Sequence, residues 1–204
     1  MASEVEPDDR TITVEEAFRR MPTLELIDDD RIKVVTARLT AEAPEYFWTA
    51  PAAGSKFHHP ACREHHGLWA HTLMLSTVIE RLAPSYVGQG RLDESDVDLA
   101  HAAAILHDQR KRGPPEDPQG SSTSDHDLQM ARVVRESPLP GAVADAIETH
   151  MGAWYDGPEP ETDLQDLVHT ADMVASTATI SPAIQGPVPE ELADLGLEVV
   201  YLDE

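Results

Sequence analysis

The sequence predicts an all-α fold, a single helical bundle with Pro/Gly-rich loops and a short C-terminal extension. Three observations predict it. Apolar residues recur at helical spacing in successive stretches separated by proline and glycine. No alternation of apolar and polar residues runs long enough to build a sheet core. A length of 204 residues with 41% apolar content is enough for one domain with a sizeable core and too short to suggest two.

In chain order, residues 1–20 read as an acidic lead-in, 21–180 as the body and 181–204 as the extension, with the first 12 residues expected to be disordered. Thr13 and Glu16 form an N-cap and N3 pair that starts a short helix through Phe18 and Met21. Leu24, Ile27, Val34, Val35 and Leu39 allow helical segments broken near Asp28-Asp29-Asp30. The tract from Ala43 to Gly67, with three prolines, two glycines and four histidines, is expected to be irregular. Leu68, Leu75, Val78, Ile79 and Leu82 mark a helix that Pro84 should end. A second helix is expected from Asp93 to His107, capped by Asp93 or Ser95. After a polar loop at 113–124, Ser124 or Asp125 caps a helix through Val133 and Val134. Pro138 and Pro140 then precede a helix from Ala142 to His150 that Gly152 stops. A last helix runs from Glu161 to about Ala178, with Leu164, Leu167, Val168, Ala171 and Val174 on one face, and the run LEVVYL is a strand or a docked tail.

Composition narrows the function classes. Thirty-eight acidic residues face 15 basic ones, for a net charge of −23, and the lysines are Lys33, Lys56 and Lys111. Such a surface suits molar intracellular salt, where mutual repulsion is screened. It disfavours nucleic acid as a partner, because backbone phosphates are bound by clustered Lys and Arg. No stretch is apolar enough for a membrane span, the N-terminus lacks the apolar segment of a secretory signal, and the single Cys62 excludes an internal disulfide. These features together predict a cytoplasmic chain.

The chemistry is expected at His107-Asp108, which closes the apolar run Leu99 to Leu106. An isolated His-Asp pair means little, but His71, His126, His150 and Asp172 also fall at helix ends or on faces that can point inward. Four imidazoles and two carboxylates without a thiolate suit one or two divalent ions, Mn, Fe, Co or Ni, with Mg also admitted, rather than a structural zinc. A carboxylate such as Asp108 can bridge two ions, and a metal-bound water is a nucleophile near neutral pH. His58, His59, His65 and His66 read as ordinary loop histidines and His101 as a core residue. His169, three residues before Asp172, reads as an outer partner that supports the ligands. Arg110, Lys111 and Arg112 follow the pair directly and, with Arg63 and Lys56, are candidates for binding the anionic substrate, Lys111 foremost. The plainer reading of the three consecutive cations is pairing with a helix C-terminus.

From about Phe57 to Ser176 the chain resembles the HD superfamily of metal-dependent phosphohydrolases, in a haloarchaeal-type form. The resemblance rests on HHPACREHHGLWAHT (58–72), AAAILHDQRKRG (102–113), TSDHDLQMA (123–131), IETHMG (147–152) and LVHTADMVAS (167–176). It implies an all-helical HD-domain bundle, with His71, His107, Asp108 and Asp172 as core metal ligands. His126 and His150 match the extra histidines of two-metal members, and Lys111 matches a lysine three positions beyond the His-Asp pair. The paired histidines before Gly-Leu-x-x-His-Thr look most like a branch that contains 3′→5′ exoribonucleases and many archaeal proteins. Gln109-Arg110 replaces the usual Ile-Gly, and His66-Gly67 the usual Gly-Gly. The expected activity is hydrolysis of a small phosphorylated substrate, a nucleotide or related phosphoester, by metal-activated water, with Asp108 and Lys111 in the catalytic roles. The alternatives are a non-catalytic metal- and nucleotide-binding sensor, suggested by Gln109-Arg110 and the tail, and an exoribonuclease-like nuclease, which the acidic surface disfavours.

Overall fold

Helix α4 (Gly67–Gly88) is the post around which the chain is built. Residues 67–79 are all buried, which an apolar helix achieves only when other elements cover every face. In this computed structural model, which describes residues 12–52, 57–155 and 157–201, the covering elements are α3 (Glu45–Thr49), α5 (Glu94–Leu106), α8 (Asp163–Ala175) and the strand β1 (Ala183–Gln185). Around this centre, α1 (Val14–Arg20) packs on α2 (Asp30–Ala41), and α2 packs on α5. Helix α6 (His126–Arg135) packs on α7 (Gly141–Thr149), which in turn lies against α5 and α8. The fold is an all-α bundle with one minor sheet of two short strands. No helix among the described residues is long and apolar enough to cross a membrane. Residues 1–11 of the expected lead-in, and Lys56, lie outside the described residues.

Local chemistry sets the helix boundaries. Thr13 Oγ1 accepts the Glu16 N–H at 3.1 Å and starts α1. The triple-aspartate break is held from a distance, because the Asp98 carboxylate of α5 accepts the N–H groups of Asp28 and Asp29 at 2.8 and 3.0 Å. Asp29 then caps α2 by accepting from Arg31 and Ile32. Asp93 precedes α5, its N–H donating to Asp96 Oδ2 at 2.9 Å.

Two stretches depart from the sequence expectation. Pro84 does not end its helix but lies inside α4. An internal proline removes a backbone hydrogen bond and costs about 3 kcal/mol, so the last turn needs support from outside. Tyr86 supplies it by donating to Asp166 Oδ2 of α8 at 2.7 Å, and Arg91 bonds both Asp163 and Asp166. The tract from Ala43 to Gly67 is not wholly irregular, since it contains α3 and a 3-10 turn at Pro60–Cys62. Burial of Phe47 and Trp48, the latter edge-on to Trp69 at 5.2 Å, outweighs the Pro/Gly composition there.

The C-terminal run is both strand and docked tail. Strand β2 (Glu198–Val200) pairs in parallel with β1, Ala183 opposite Glu198. The Gln185 N–H donates to Thr77 Oγ1 at 2.7 Å, fastening β1 to α4, and Arg19 of α1 bonds Glu191 at 3.0 Å.

Helix α4 begins at an unusually close approach. His66 takes a left-handed conformation, φ 66°, and its Nδ1–H donates to the Trp48 carbonyl at 2.5 Å. That places Gly67 so that an added Cβ would lie 2.2 Å from the Cys62 carbonyl oxygen. Gly67→Ala is therefore expected to destabilise the protein by about 1–3 kcal/mol, as overpacking does. The measurement is the urea midpoint, and an unchanged midpoint would show that the loop before α4 yields freely.

Candidate metal centre

Five helices bring six buried side chains to one end of the bundle. His71 comes from the second turn of α4, His107 and Asp108 from the end of α5, His126 from the first residue of α6, His150 from the C-cap of α7, and Asp172 from the last turn of α8. Two sets of ligand atoms result, His71/His107/Asp108 and Asp108/His126/His150, each with its atoms within 4.8 Å of one another. Asp108 belongs to both. Its Oδ2 lies 3.3 Å from His107 Nε2, and its Oδ1 lies 3.2 and 3.9 Å from the Nε2 atoms of His126 and His150. Asp172 Oδ1 lies 3.0 Å from His71 Nε2 and 3.9 Å from His107 Nε2.

Backbone carbonyls aim three of the imidazoles. The Nδ1–H groups of His107, His126 and His150 donate to the carbonyls of Ala104, Thr123 and Ile147 at 2.7, 2.8 and 2.6 Å. A carbonyl only accepts, so Nδ1 carries the proton and the neutral ring turns its Nε2 lone pair inward. The loop after α5 places His126 in part through the Thr123 N–H, which donates to the Lys111 carbonyl at 2.9 Å.

The electrostatics point the same way. Burial alone would raise the Asp108 carboxyl, but Lys111 and His107 outweigh it and hold the group well below its ordinary value. Burial likewise opposes ionisation of Asp172, and the hydrogen bond and charge of His71 reverse that. Burial disfavours a proton on His107 and His126, yet the adjacent Asp108 carboxylate raises both. His150 is pushed down to about 3 by burial and then by His107. The site thus holds two buried carboxylates that attract positive charge.

The residues fit divalent metal. His107 Nε2, His126 Nε2, His150 Nε2 and Asp108 Oδ1 are buried and make no hydrogen bond among the described residues. Each unmet buried group of this kind costs about 1–3 kcal/mol, and a cation would accept all four lone pairs. Imidazole nitrogens and carboxylate oxygens suit first-row divalent ions.

The remaining residues singled out by sequence are placed unevenly. Lys111 Nζ donates to Asp108 Oδ2, at the centre of the site. Arg110 turns elsewhere. Its guanidinium is half-buried, beside Tyr46, Glu116 and Glu42. Arg112 shares the Tyr46 side of the loop, its carbonyl accepting from Gln119 N–H at 2.5 Å. Arg63 Nε donates to the His58 carbonyl at 2.6 Å. His169 donates from Nδ1 to the His150 carbonyl at 2.7 Å and covers Gly152, where φ is +53° and a Cβ would lie 2.8 Å from its ring. It supports the turn that carries His150. His101 bonds Glu80 at 2.7 Å between α4 and α5.

Gln109 faces away from the centre. Its amide donates to Thr40 Oγ1 at 3.1 Å and to the Ile105 carbonyl at 3.0 Å, tying the end of α5 to α2. The Tyr46 hydroxyl lies 3.1 and 2.5 Å from the carbonyls of Gln109 and Gly113 and pins the same loop. His58, which the sequence presents as an ordinary loop histidine, is instead buried with its ring centroid 5.2 Å from that of His71. Nothing local marks it. It is fixed by Arg63 and by Ser176, the latter 118 positions away.

The family model for the HD domain matches residues 68–177, more than half of the chain and spanning all six inward residues. The chain belongs to the HD domain family. The HD domain is in general a metal-dependent phosphohydrolase module, and the all-α bundle and the cluster of His and Asp at its end agree with that. No curated protein and no solved structure matches the chain.

Two outcomes follow for this HD domain. Gln109→Ala should lower stability by about 1–3 kcal/mol, since it leaves the buried Thr40 hydroxyl without its partner, while metal content measured by mass spectrometry stays unchanged. A lost metal would instead place Gln109 in the site. Second, between pH 6.5 and about 3 the unfolded chain binds a proton at residue 150 and the folded chain does not. This residue's contribution to stability therefore falls as pH falls through that window. In denaturation of the metal-free protein, His150→Gln should lose stability less steeply from pH 6.5 to 4 than the wild type. Equal slopes would mean that His150 is protonated in the folded chain.

Proposed function

We propose that this chain is a metal-dependent phosphohydrolase acting on a nucleotide or a related small phosphoester, with His71, His107, Asp108, His126, His150 and Asp172 holding one or two divalent ions. The observation that carries the reading is the sharing of one ionised carboxylate, Asp108, by both ligand sets while Lys111 bonds the same group. A cation beside the metal ligands is suited to a phosphoryl group, and this chain has three lysines in all. Divalent ions held there would supply a lowered water pKa near phosphorus and neutralise charge that develops in displacement.

The chain's own residues have separable duties. Asp108 stays ionised and joins the two ligand sets. Lys111 offers its ammonium to the phosphoryl oxygens, while His107, His126 and His150 are kept in the tautomer that leaves Nε2 free. Asp172 turns Oδ1 to His71 Nε2 within the centre, so the two are placed to act on the same ion. The substrate is read as small because the carboxylate-rich surface lacks the basic track that a nucleic acid needs. The same surface suits a cytoplasm rich in salt.

Protein loaded with Mn, Co or Ni in molar KCl is expected to hydrolyse members of a nucleotide and phosphoester panel. Asp108→Ala should reduce turnover by more than about a hundredfold, beyond the loss of an outer partner of a ligand, and should lower bound metal. Lys111→Met should reduce kcat/KM by about a hundredfold with metal content intact, the scale for one charge-stabilising group. Wild-type protein that binds metal and hydrolyses nothing in the panel would defeat the reading.

A further inference from the structure

We propose that His58 is a phosphate-binding residue of the metal centre, donating its Nδ1–H to an oxygen of the bound phosphoryl group. The proposal rests on reading the site as one for phosphorylated ligands, and it adds a residue and an atom to that reading.

Three observations carry it. His58 is 9% exposed, and its Nδ1 is buried without a hydrogen-bond partner among the described residues. A ring nitrogen withdrawn from water in that way is costly unless something pairs with it. Second, the ring faces the centre, T-shaped to His71 with centroids 5.2 Å apart, and the groups that bear on it are His71, Lys111, Asp172 and Asp108. Third, it is held at both ends. Arg63 Nε donates to the His58 carbonyl at 2.6 Å, and Ser176 Oγ lies 3.3 Å from His58 Nε2. Ser176 is the C-cap of α8, one turn beyond Asp172, so the element that carries an inward carboxylate also fixes this ring.

The chemistry follows from that clamp. When the Ser176 hydroxyl donates to Nε2, the single proton of the neutral ring sits on Nδ1, and Nδ1 becomes a donor. A donor suits an anionic oxygen. With Nε2 taken by Ser176 and Nδ1 carrying the proton, the ring has no lone pair left for an ion, which separates it from the ligands. The adjacent His59 has a different duty, its Nδ1 accepting the Ala61 N–H at 3.2 Å to start the following turn. Of the paired histidines, one therefore shapes the loop and the other faces the site.

The test is calorimetric titration of Mn-loaded protein with inorganic phosphate, with manganese content measured on the same samples. Wild-type protein is expected to bind phosphate, and His58→Ala to bind it about ten- to a hundredfold more weakly, the loss for a hydrogen bond to a charged oxygen, at unchanged manganese content. Thermal melts identify folded variants, and two amides keep the test sharp if the alanine variant does not fold. His58→Asn carries its amide near the Nδ1 position and should bind nearly as the wild type does, whereas His58→Gln carries its amide near the Nε2 position and should bind weakly. Equal affinity in the wild type and in folded Ala or Gln variants would overturn the proposal. So would loss of manganese together with affinity, which would make His58 a ligand, and so would wild-type protein that binds no phosphate. Phosphate binding that depends on His58 in a protein that hydrolyses nothing would defeat the hydrolase reading and leave this one standing.

Discussion

The ionised carboxylate of Asp108 lies wholly inside the protein, and a buried charge is tolerated only where partners surround it. Lys111 reaches it from the loop that follows, His107 from the residue before, and His126 from the start of α6. These groups sit on elements that must all arrive at one point. The bundle is arranged accordingly. Helix α4 is buried on every side through its first half and serves as a fixed post, while α5 delivers Asp108 at its end. The loop beyond is then held by Tyr46 and Gln109, so that Lys111 has little freedom to leave.

The outside of the molecule is governed by the opposite condition. Carboxylates there outnumber cations by more than two to one in the sequence. Arg19, Arg91 and Arg135 each bond two acidic side chains, Glu16 and Glu191, Asp163 and Asp166, and Asp145 and Glu148. Exposed pairs of this kind add little stability, and salt screens them. Their effect is to occupy cations at the surface. The centre relies instead on groups held within the bundle, where the solvent does not screen them.

Much of this was legible in the sequence, and the parts that were not share a cause. Helical periodicity and capping residues such as Thr13 and Asp93 are local signals, and they located α1, α5 and α8 well. The inward position of His71, His107, Asp108, His126, His150 and Asp172 was inferable because each falls at a helix end or on a helix face. Pro84 misled because its compensation comes from Asp166, eighty residues away from Tyr86. Gln109 misled for a similar reason, since Thr40 lies 69 positions upstream. His58 looked like its neighbours His59, His65 and His66, and only the fold separates them. Long-range hydrogen bonds decide such cases, and a single sequence carries no local mark of them.

The span of the six inward residues has a thermodynamic consequence. His71 and Asp172 are 101 residues apart in the chain, and the remaining inward groups lie between them. An unfolded chain cannot gather them, so an ion they hold binds the native state alone and adds its binding free energy to folding. The melting point would then rise with free metal concentration, as linkage requires. A substitution anywhere in the bundle that weakens folding would also weaken apparent metal affinity, even where it touches no ligand. The reverse holds as well: metal scarcity would thin the folded population, so the cell's supply of divalent cation would set the abundance of this protein as well as the state of its site.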